Sequence, residues 1–202
     1  MVGLLVLFLG WAMFYALHSA LAHHSVKAFV QSKAKGHYRY YRLLFNVISV
    51  VFLSGLLVFQ FSLPAETILQ LPALLPILGA LVFVLGLVVL VMAFASFNKA
   101  EFVGLQQLRQ NDAPKQTPHQ VTQLTKTGMY AYMRHPLYFG IVLLLVGALL
   151  YIPSYPMLVF VATSLIYLPI GVYLEEQKLL VEFGDAYRQY QKEAKRFIPF
   201  VY

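Results

Sequence analysis

The sequence contains no cysteine, and only 11% of its 202 residues are charged. Without cysteine there is no disulfide, no thiolate metal ligand and no cysteine nucleophile. Soluble domains carry about a quarter of their residues as charged side chains. Because hydrophobic residues make up 60% of the chain, much of its surface is expected to face lipid. The composition therefore predicts one membrane domain rather than a soluble globule.

Motifs for several common cofactors are also missing. The chain has no GxGxxG, P-loop or HExxH motif, which leaves dinucleotide, phosphate-loop and zinc-protease sites without support. We predict no metal, since four histidines are scattered through polar segments without metal-ligand spacing: His23, His24, His37 and His119. The net charge of +7 indicates membrane orientation here, and we predict no nucleic-acid partner.

Several apolar runs approach the roughly 20 residues that a helix needs to cross a bilayer. They are residues 2–22, 41–62, 73–97, 137–152 and 156–174. Pro153 and Pro156 predict a tight hairpin between the last two runs. The fourth run is short, which leaves two alternatives: five spans, or four spans with a short hairpin helix. The predicted fold class is an all-α polytopic integral membrane protein.

The basic residues predict which loops share a side. All 15 lie within segments 27–42, 99–134 and 178–196, whereas the linker at 63–72 carries only Glu66. Five alternating spans place the three basic segments together, and the positive-inside rule makes that side cytoplasmic. The amino terminus then lies outside, and its helix is interpreted as retained because no Lys or Arg precedes the apolar run.

The polar segments on this side also have recognisable patterns. Residues 98–128 predict a cytoplasmic, lid-like loop with some helical content. From Glu175 to Lys195 apolar residues recur at helical spacing, which predicts a cytoplasmic amphipathic helix that ends at Ile198-Pro199. The chain is treated as a single membrane domain, 1–202, with a three-helix part at 1–97 and a second part at 98–202.

The first candidate site element is Arg134-His135-Pro136-Leu137-Tyr138. Proline suits the first turn of a helix, so His135 is the predicted cap and free backbone N–H groups gather beside it. Such a helix start binds anionic groups. The alternative is an anchor at the lipid headgroups, where Tyr and Arg are common.

Two further elements follow along the chain. One carboxylate of Glu175-Glu176 is a candidate to hold an ammonium group, although acidic residues also suit the first turn of a helix. Tyr187 and Tyr190 share a helix face and either attract a cation such as a sulfonium or pack against the membrane domain.

Polar residues in the amino-terminal helices are candidates as well. His18 lies toward the cytoplasmic end of the first apolar run, and Arg42 and Asn46 open the second. Ionisable or amide groups in spanning segments point to function by default. Hydrogen bonds between helices are the alternative use.

Together these elements resemble the isoprenylcysteine carboxyl methyltransferase family and its relatives, which include phosphatidylethanolamine N-methyltransferases and methanethiol S-methyltransferases. The likeness covers residues 98–202. The motifs that carry it are Gly128-x-Tyr130, Arg134-His135-Pro136-x-Tyr138-x-Gly140, Glu175-Glu176-x-x-Leu179, Phe183-Gly184-x-x-Tyr187-x-x-Tyr190 and Arg196-Phe197-Ile198-Pro199. The amino-terminal half, with Leu17-His18-Ser19 and Tyr41-Arg42-x-x-Phe45-Asn46, more loosely resembles NnrU-type bacterial membrane proteins.

The resemblance implies a membrane methyltransferase that binds S-adenosylmethionine on the cytoplasmic side, between the last two spans and the carboxyl-terminal helix, in a prokaryotic cytoplasmic membrane. The implied cofactor-binding residues are Met133, His135, Leu137, Tyr138, Glu175, Glu176, Tyr187 and Arg196. His18 or His135 is a candidate to take a proton from the acceptor, while Arg42, Asn46 and Asn98 are candidates to orient it. The acceptor is a small or lipid-like thiol, amine or carboxylate, and membrane lipid is a further partner.

Two alternative functions follow from the same residues. Membrane sterol reductases carry a similar carboxyl-terminal pattern for NADPH, which makes an NADPH-dependent reductase the second enzyme hypothesis. The NnrU-like half permits a non-catalytic membrane protein in which the cofactor site is vestigial.

Overall fold

The computed structural model describes residues 1–96, 99–105, 108 and 124–197. The secondary structure of this part of the chain consists of helices, without a β-strand. Two 3₁₀ helices are Lys35–Tyr40 and Gly128–Ala131. The α-helices are α1 (Val2–Ala22), α2 (His24–Ala34), α3 (Tyr41–Ser62), α4 (Leu74–Ala95), α5 (Lys99–Val103), α6 (Pro136–Tyr151), α7 (Tyr155–Phe183) and α8 (Asp185–Glu193). The predicted all-α class is confirmed.

Four helices are long and apolar enough to cross a membrane: α1, Gly36–Ser62 (which contains α3), α4 and α7. α6 is apolar but has only 16 residues. The chain is thus a polytopic membrane protein with four long apolar helices and a shorter one. Whether α6 is a fifth span or a short hairpin helix stays a prediction. The predicted start of α6 is confirmed, with His135 as its N-cap and Pro136 in its first turn.

The amphipathic helix predicted from Glu175 to Lys195 begins at the wrong residue. α7 continues past Glu175 to Phe183, and α8 begins only at Asp185. Gly184 between them has a φ of +51°, a left-handed conformation that glycine adopts without a Cβ clash, so the chain turns there. The predicted terminator Ile198-Pro199 lies outside the described residues.

Glycines allow α4 and α6 to pack with their backbones in contact. A Cβ atom added at Gly79 would lie 2.9 Å from the carbonyl oxygen of Gly147, and one at Gly86 would lie 2.9 Å from that of Gly140. In each helix the two glycines are two turns apart, so they lie on one face. The helices run antiparallel, because the earlier glycine of α4, Gly79, meets the later glycine of α6, Gly147. This packing places the start of α6 beside the end of α4.

Trp11 fixes α1 between α3 and α7. Its side chain is fully buried, and Nε1 donates to Gln60 Oε1 at 3.2 Å. Its ring centre lies 4.3 Å from that of Phe160 on α7. A buried indole is favourable when its N–H finds such a partner.

The two connections that carry few charges meet at one end of the molecule. Ile68 N donates to Pro153 O at 2.8 Å, and Tyr155 N donates to Glu66 O at 3.2 Å. The linker between α3 and α4 therefore lies against the hairpin between α6 and α7. The alternation of five spans predicts this arrangement, and the described basic residues Arg134, before α6, and Lys178, late in α7, lie toward the opposite end.

Candidate active site

The carboxylate of Glu176, near the end of α7, contacts three basic side chains. Arg134 Nε and Nη2 each lie 3.1 Å from Oε1, and His135 Nε2 lies 3.0 Å from the same oxygen. Arg196 Nη2 lies 3.0 Å from Oε2. Glu176 is only 8% exposed, so these partners offset its lost hydration. Glu176 thus joins the three separated stretches that carry the sequence motifs.

The chain after α8 folds back along the stretch before α6. Arg134 N donates to Lys195 O at 2.7 Å, and His135 N donates to Arg196 O at 3.2 Å. The Arg134 guanidinium adds a bond from Nη1 to Ala194 O at 2.6 Å. These backbone bonds hold Arg196 beside His135, which explains how residues far apart in sequence share one carboxylate.

α8 contributes two buried tyrosines. The Tyr190 hydroxyl donates to Tyr130 O at 2.6 Å, and burial raises the pKa of Tyr190 to about 12, which keeps it a donor. Among the described residues, the buried Tyr187 hydroxyl and Arg196 Nε have no hydrogen-bond partner. Buried donors without partners are costly. An acceptor atom from a ligand would be favourable beside either of them.

Glu175 has a different environment from Glu176. Its side chain is 43% exposed, and its Oε2 lies 3.9 Å from His135 Nδ1. The Tyr138 ring meets His135 edge-on with centres 5.7 Å apart, and its hydroxyl lies near enough to Glu175 to interact with that charge. Because adjacent helical residues point about 100° apart, arginines enclose one carboxylate while the other stays accessible. Of the two, Glu175 is the better candidate for contact with a cationic group.

Residues 6–194 match the family model described as "Protein of unknown function (DUF1295)". The chain belongs to the DUF1295 family. The matched range includes every site residue predicted above except Arg196, which lies two positions beyond it.

Named relatives match shorter parts of this DUF1295 chain. It is 33% identical over 114 residues to Methanethiol S-methyltransferase 1 of Bradyrhizobium diazoefficiens, covering 54% of this chain and 38% of that protein. It is 31% identical over 120 residues to Methanethiol S-methyltransferase of Crocosphaera subtropica, covering 59% and 45%. For the Pseudomonas deceptionensis Methanethiol S-methyltransferase the values are 40% over 73 residues, 35% and 26%. The chain spans less than half the length of these relatives. No solved structure gives a significant match.

The remaining predicted cofactor residues surround the start of α6. Met133 is 2% exposed and lies directly before the Arg134-His135 pair. The backbone N–H groups of Leu137 and Tyr138 belong to the first turn, where no carbonyl of the same helix can accept from them. The positive end of the helix dipole lies here as well. Their contact with a cofactor stays a prediction.

The predicted acceptor residues of the amino-terminal part lie near α3. His18 Nδ1 lies 3.1 Å from Ser49 Oγ, which directs the ring from α1 toward α3. The Asn46 amide donates to Val103 O at 2.9 Å and thereby holds α5 against α3. The catalytic roles of His18, Arg42 and Asn46 stay predictions. Asn98 lies outside the described residues.

The structure also adds Tyr167 and Gly171, which the sequence analysis did not single out. Ser19 and Tyr167 are hydrogen-bonded through their hydroxyls, which links α1 to α7. Gly171 lies between Tyr167 and Glu175 on one face of α7, since the three are four residues apart. That spacing was the available signal.

An open groove lies at the end of α4. This apolar groove of about 390 Å³ is lined by Leu90, Val91, Phe94, Ala95 and Lys99. These residues are not those of the Glu176 cluster, so the cofactor cavity expected beside that cluster stays a prediction. Within the part of the chain that the structure describes, no three His, Asp or Glu side chains are grouped so that they could hold a metal ion.

Proposed function

We propose that this chain is an integral membrane methyltransferase that transfers a methyl group from S-adenosylmethionine to a small thiol, with its active site on the cytoplasmic side. The observation that carries the proposal is the accessible carboxylate of Glu175 beside the enclosed Glu176 cluster. The likeness to three methanethiol S-methyltransferases supports methyl transfer and a thiol acceptor. The basic residues at this end of the helices support the orientation.

The described residues fit the cofactor chemically. S-adenosylmethionine carries an ammonium, a carboxylate and a sulfonium. Glu175 would bind the ammonium by charge-assisted hydrogen bonds. Arg196 Nε and the Tyr187 hydroxyl, both buried without a partner among the described residues, would donate to the carboxylate. The Tyr138 ring, whose centre lies 5.7 Å from that of His135, supplies an aromatic edge or face near the positive charge.

The chain's own residues need to supply position and a proton acceptor, because a sulfonium already activates its methyl group. An ionised carboxylate has no proton to give, so His135 Nε2 donates to Glu176 Oε1 across 3.0 Å. In the neutral imidazole, Nδ1 then holds the lone pair. Nδ1 faces Glu175 and is the atom that takes the proton from the thiol sulfur. When bound, S-adenosylmethionine would supply the methyl group to the thiol sulfur and leave as S-adenosylhomocysteine.

The proposal is tested on the whole chain, purified in detergent or nanodiscs. S-adenosylmethionine and S-adenosylhomocysteine are expected to raise the melting temperature saturably, whereas NADPH leaves it unchanged. Methanethiol and S-adenosylmethionine with a labelled methyl group are expected to yield labelled dimethyl sulfide. His135→Gln should abolish turnover, and His23→Gln, at an exposed position, serves as the matched control.

Two outcomes contradict the proposal. A thermal response to NADPH alone favours the reductase hypothesis. Binding of S-adenosylmethionine without transfer to methanethiol or to any component of a membrane extract favours the non-catalytic one.

A further inference from the structure

Hydroxyl groups pair across the contact between α1 and α7. Ser19 Oγ and Tyr167 Oη are hydrogen-bonded, and the Tyr167 ring stacks on Tyr15 with centres 4.5 Å apart and planes 8° apart. The Tyr15 hydroxyl pairs in turn with Ser164. Tyr167 is therefore held by a hydrogen bond at its tip and by a stacked ring along its face.

Gly171 brings a second tyrosine to the same place. A Cβ atom added at Gly171 would lie 3.3 Å from Tyr167 Cε1 and 3.4 Å from both Cε1 and Oη of Tyr138. Gly171 is buried, so the two rings converge on bare backbone. We name Tyr138, Gly171 and Tyr167 the tyrosine wall.

The tyrosine wall adjoins the proposed reaction site. The Tyr138 ring meets that of His135 edge-on with centres 5.7 Å apart, and Glu175 Oε2 lies 3.9 Å from His135 Nδ1. Gly171 precedes Glu175 by four residues and so lies one turn away on the same face of α7. A thiol that gives its proton to His135 must therefore approach this wall.

We propose that the tyrosine wall limits the size of the acceptor, with Tyr167 as its specificity-determining residue. This inference rests on the proposed function and narrows its acceptor to short-chain thiols. A long alkyl chain would have to displace Tyr167, which breaks the bond to Ser19 and the stacking on Tyr15. A small thiol avoids that cost, and its polarisable sulfur is favourable against aromatic ring edges.

Two substitutions alter the wall in opposite directions. Tyr167→Leu removes the ring and opens space, whereas Gly171→Ala adds a carbon within 3.4 Å of both rings and closes it. Tyr15→Phe is the control, because it removes a similar bond between α1 and α7 but keeps the ring behind Tyr167.

The substrates are methanethiol, ethanethiol and 1-hexanethiol. The measurements are kcat/KM for each thiol and the thermal stabilisation that each gives to protein loaded with S-adenosylhomocysteine.

The wild type is expected to prefer the shortest thiol. One methylene in an apolar pocket changes discrimination by about 10-fold to 200-fold. Tyr167→Leu should raise the kcat/KM for 1-hexanethiol relative to that for methanethiol at least about tenfold. Gly171→Ala should lower the kcat/KM for ethanethiol relative to that for methanethiol. Tyr15→Phe should change neither ratio. The thermal shifts should follow the same order.

The wall and the proposed function fail in different ways. If both wall variants bind S-adenosylmethionine but change kcat/KM by the same factor for every thiol, the wall has only a structural role and the inference is overturned. If the wild type responds to neither S-adenosylmethionine nor S-adenosylhomocysteine, the proposed function is overturned and the inference with it.

Discussion

Arg134 and Glu176 lie 42 residues apart in sequence, yet the guanidinium places both Nε and Nη2 at 3.1 Å from one carboxylate oxygen. The same guanidinium donates through Nη1 to the backbone at Ala194, beyond α8. One side chain therefore ties the start of α6 both to α7 and to the carboxyl-terminal segment. Ligand binding and folding are expected to depend on different members of the Glu175-Glu176 pair.

Glu176→Gln is expected to destabilise the fold. The amide keeps the shape of the side chain but removes the charge, and it leaves Arg134 and Arg196 without their carboxylate. Breaking a buried ion pair on one side costs roughly 3 kcal/mol or more. Thermal unfolding measures the effect. Glu193→Gln, at an exposed ion pair with Lys126, is the control and should leave the melting temperature nearly unchanged. Equal melting temperatures for the two variants would refute the structural role of Glu176.

Glu175→Gln is expected to weaken cofactor binding without weakening the fold. A charge-assisted hydrogen bond contributes about 1.5 to 3 kcal/mol, which corresponds to roughly a 10-fold to 100-fold higher Kd for S-adenosylmethionine. Calorimetric titration gives the Kd, and the melting temperature of the ligand-free protein should stay close to that of the wild type. Asp185→Asn changes an exposed carboxylate and is the control. An unchanged Kd in Glu175→Gln would contradict the assignment of Glu175 to the ammonium.

Local sequence signals predicted the apolar helices, because their causes are local. Pro136 has no N–H to lose in the first turn of α6, and the long apolar runs can bury their backbone polar groups only as helices. The break at Gly184 was missed since the apolar spacing continues across it, from Leu180 to Tyr187. Gly184-Asp185 was the available sign of a new helix start.

The candidate site was only partly predictable, because its roles depend on contacts distant in sequence. The sequence alone does not distinguish the roles of the adjacent residues Glu175 and Glu176. They differ because Arg134 and Arg196 pair with Glu176 in the folded chain. The bond between Ser19 and Tyr167 joins positions 148 residues apart, and no spacing rule indicates it. The sequence likewise does not predict that the glycines of α4 face those of α6, because this contact forms only when the two helices pack together.

The stability of the protein is expected to rise with pH because of Lys27. Burial first, and then the charges of Lys178 and Arg42, lower the pKa of Lys27 on α2 from 10.5 to about 8. The unfolded chain keeps the ordinary value, so between these pH values it binds more protons than the folded chain and unfolding becomes less favourable as the pH rises. Lys27→Met should raise the melting temperature at pH 7 and reduce its increase above pH 8.

The exposed Lys33 on the same helix provides the control for this pH dependence. Lys33→Met should leave both the melting temperature at pH 7 and its pH profile close to those of the wild type. If Lys27→Met keeps the full wild-type increase between about pH 8 and pH 10, Lys27 is not its source.

Gly86→Ala is expected to disturb the contact between α4 and α6. The new Cβ would lie 2.8 Å from Leu144 N and 2.9 Å from Gly140 O, and backbone atoms yield less easily than side chains. Overpacking of this kind costs about 1 to 3 kcal/mol. Since His135 caps the start of α6, a displaced α6 should also weaken the thermal response to S-adenosylmethionine.

Gly55→Ala on α3 is the matched control, because a Cβ there meets nothing within 4 Å. Alanine stabilises a helix interior by roughly 0.5 to 1 kcal/mol relative to glycine, so this variant should melt at or slightly above the wild-type temperature. The comparison separates the shared gain in helix propensity from the clash that only Gly86→Ala introduces. If the two variants have the same melting temperature, the close backbone contact between α4 and α6 is absent in the membrane. The position of His135 would then depend on contacts other than the packing of α4 on α6.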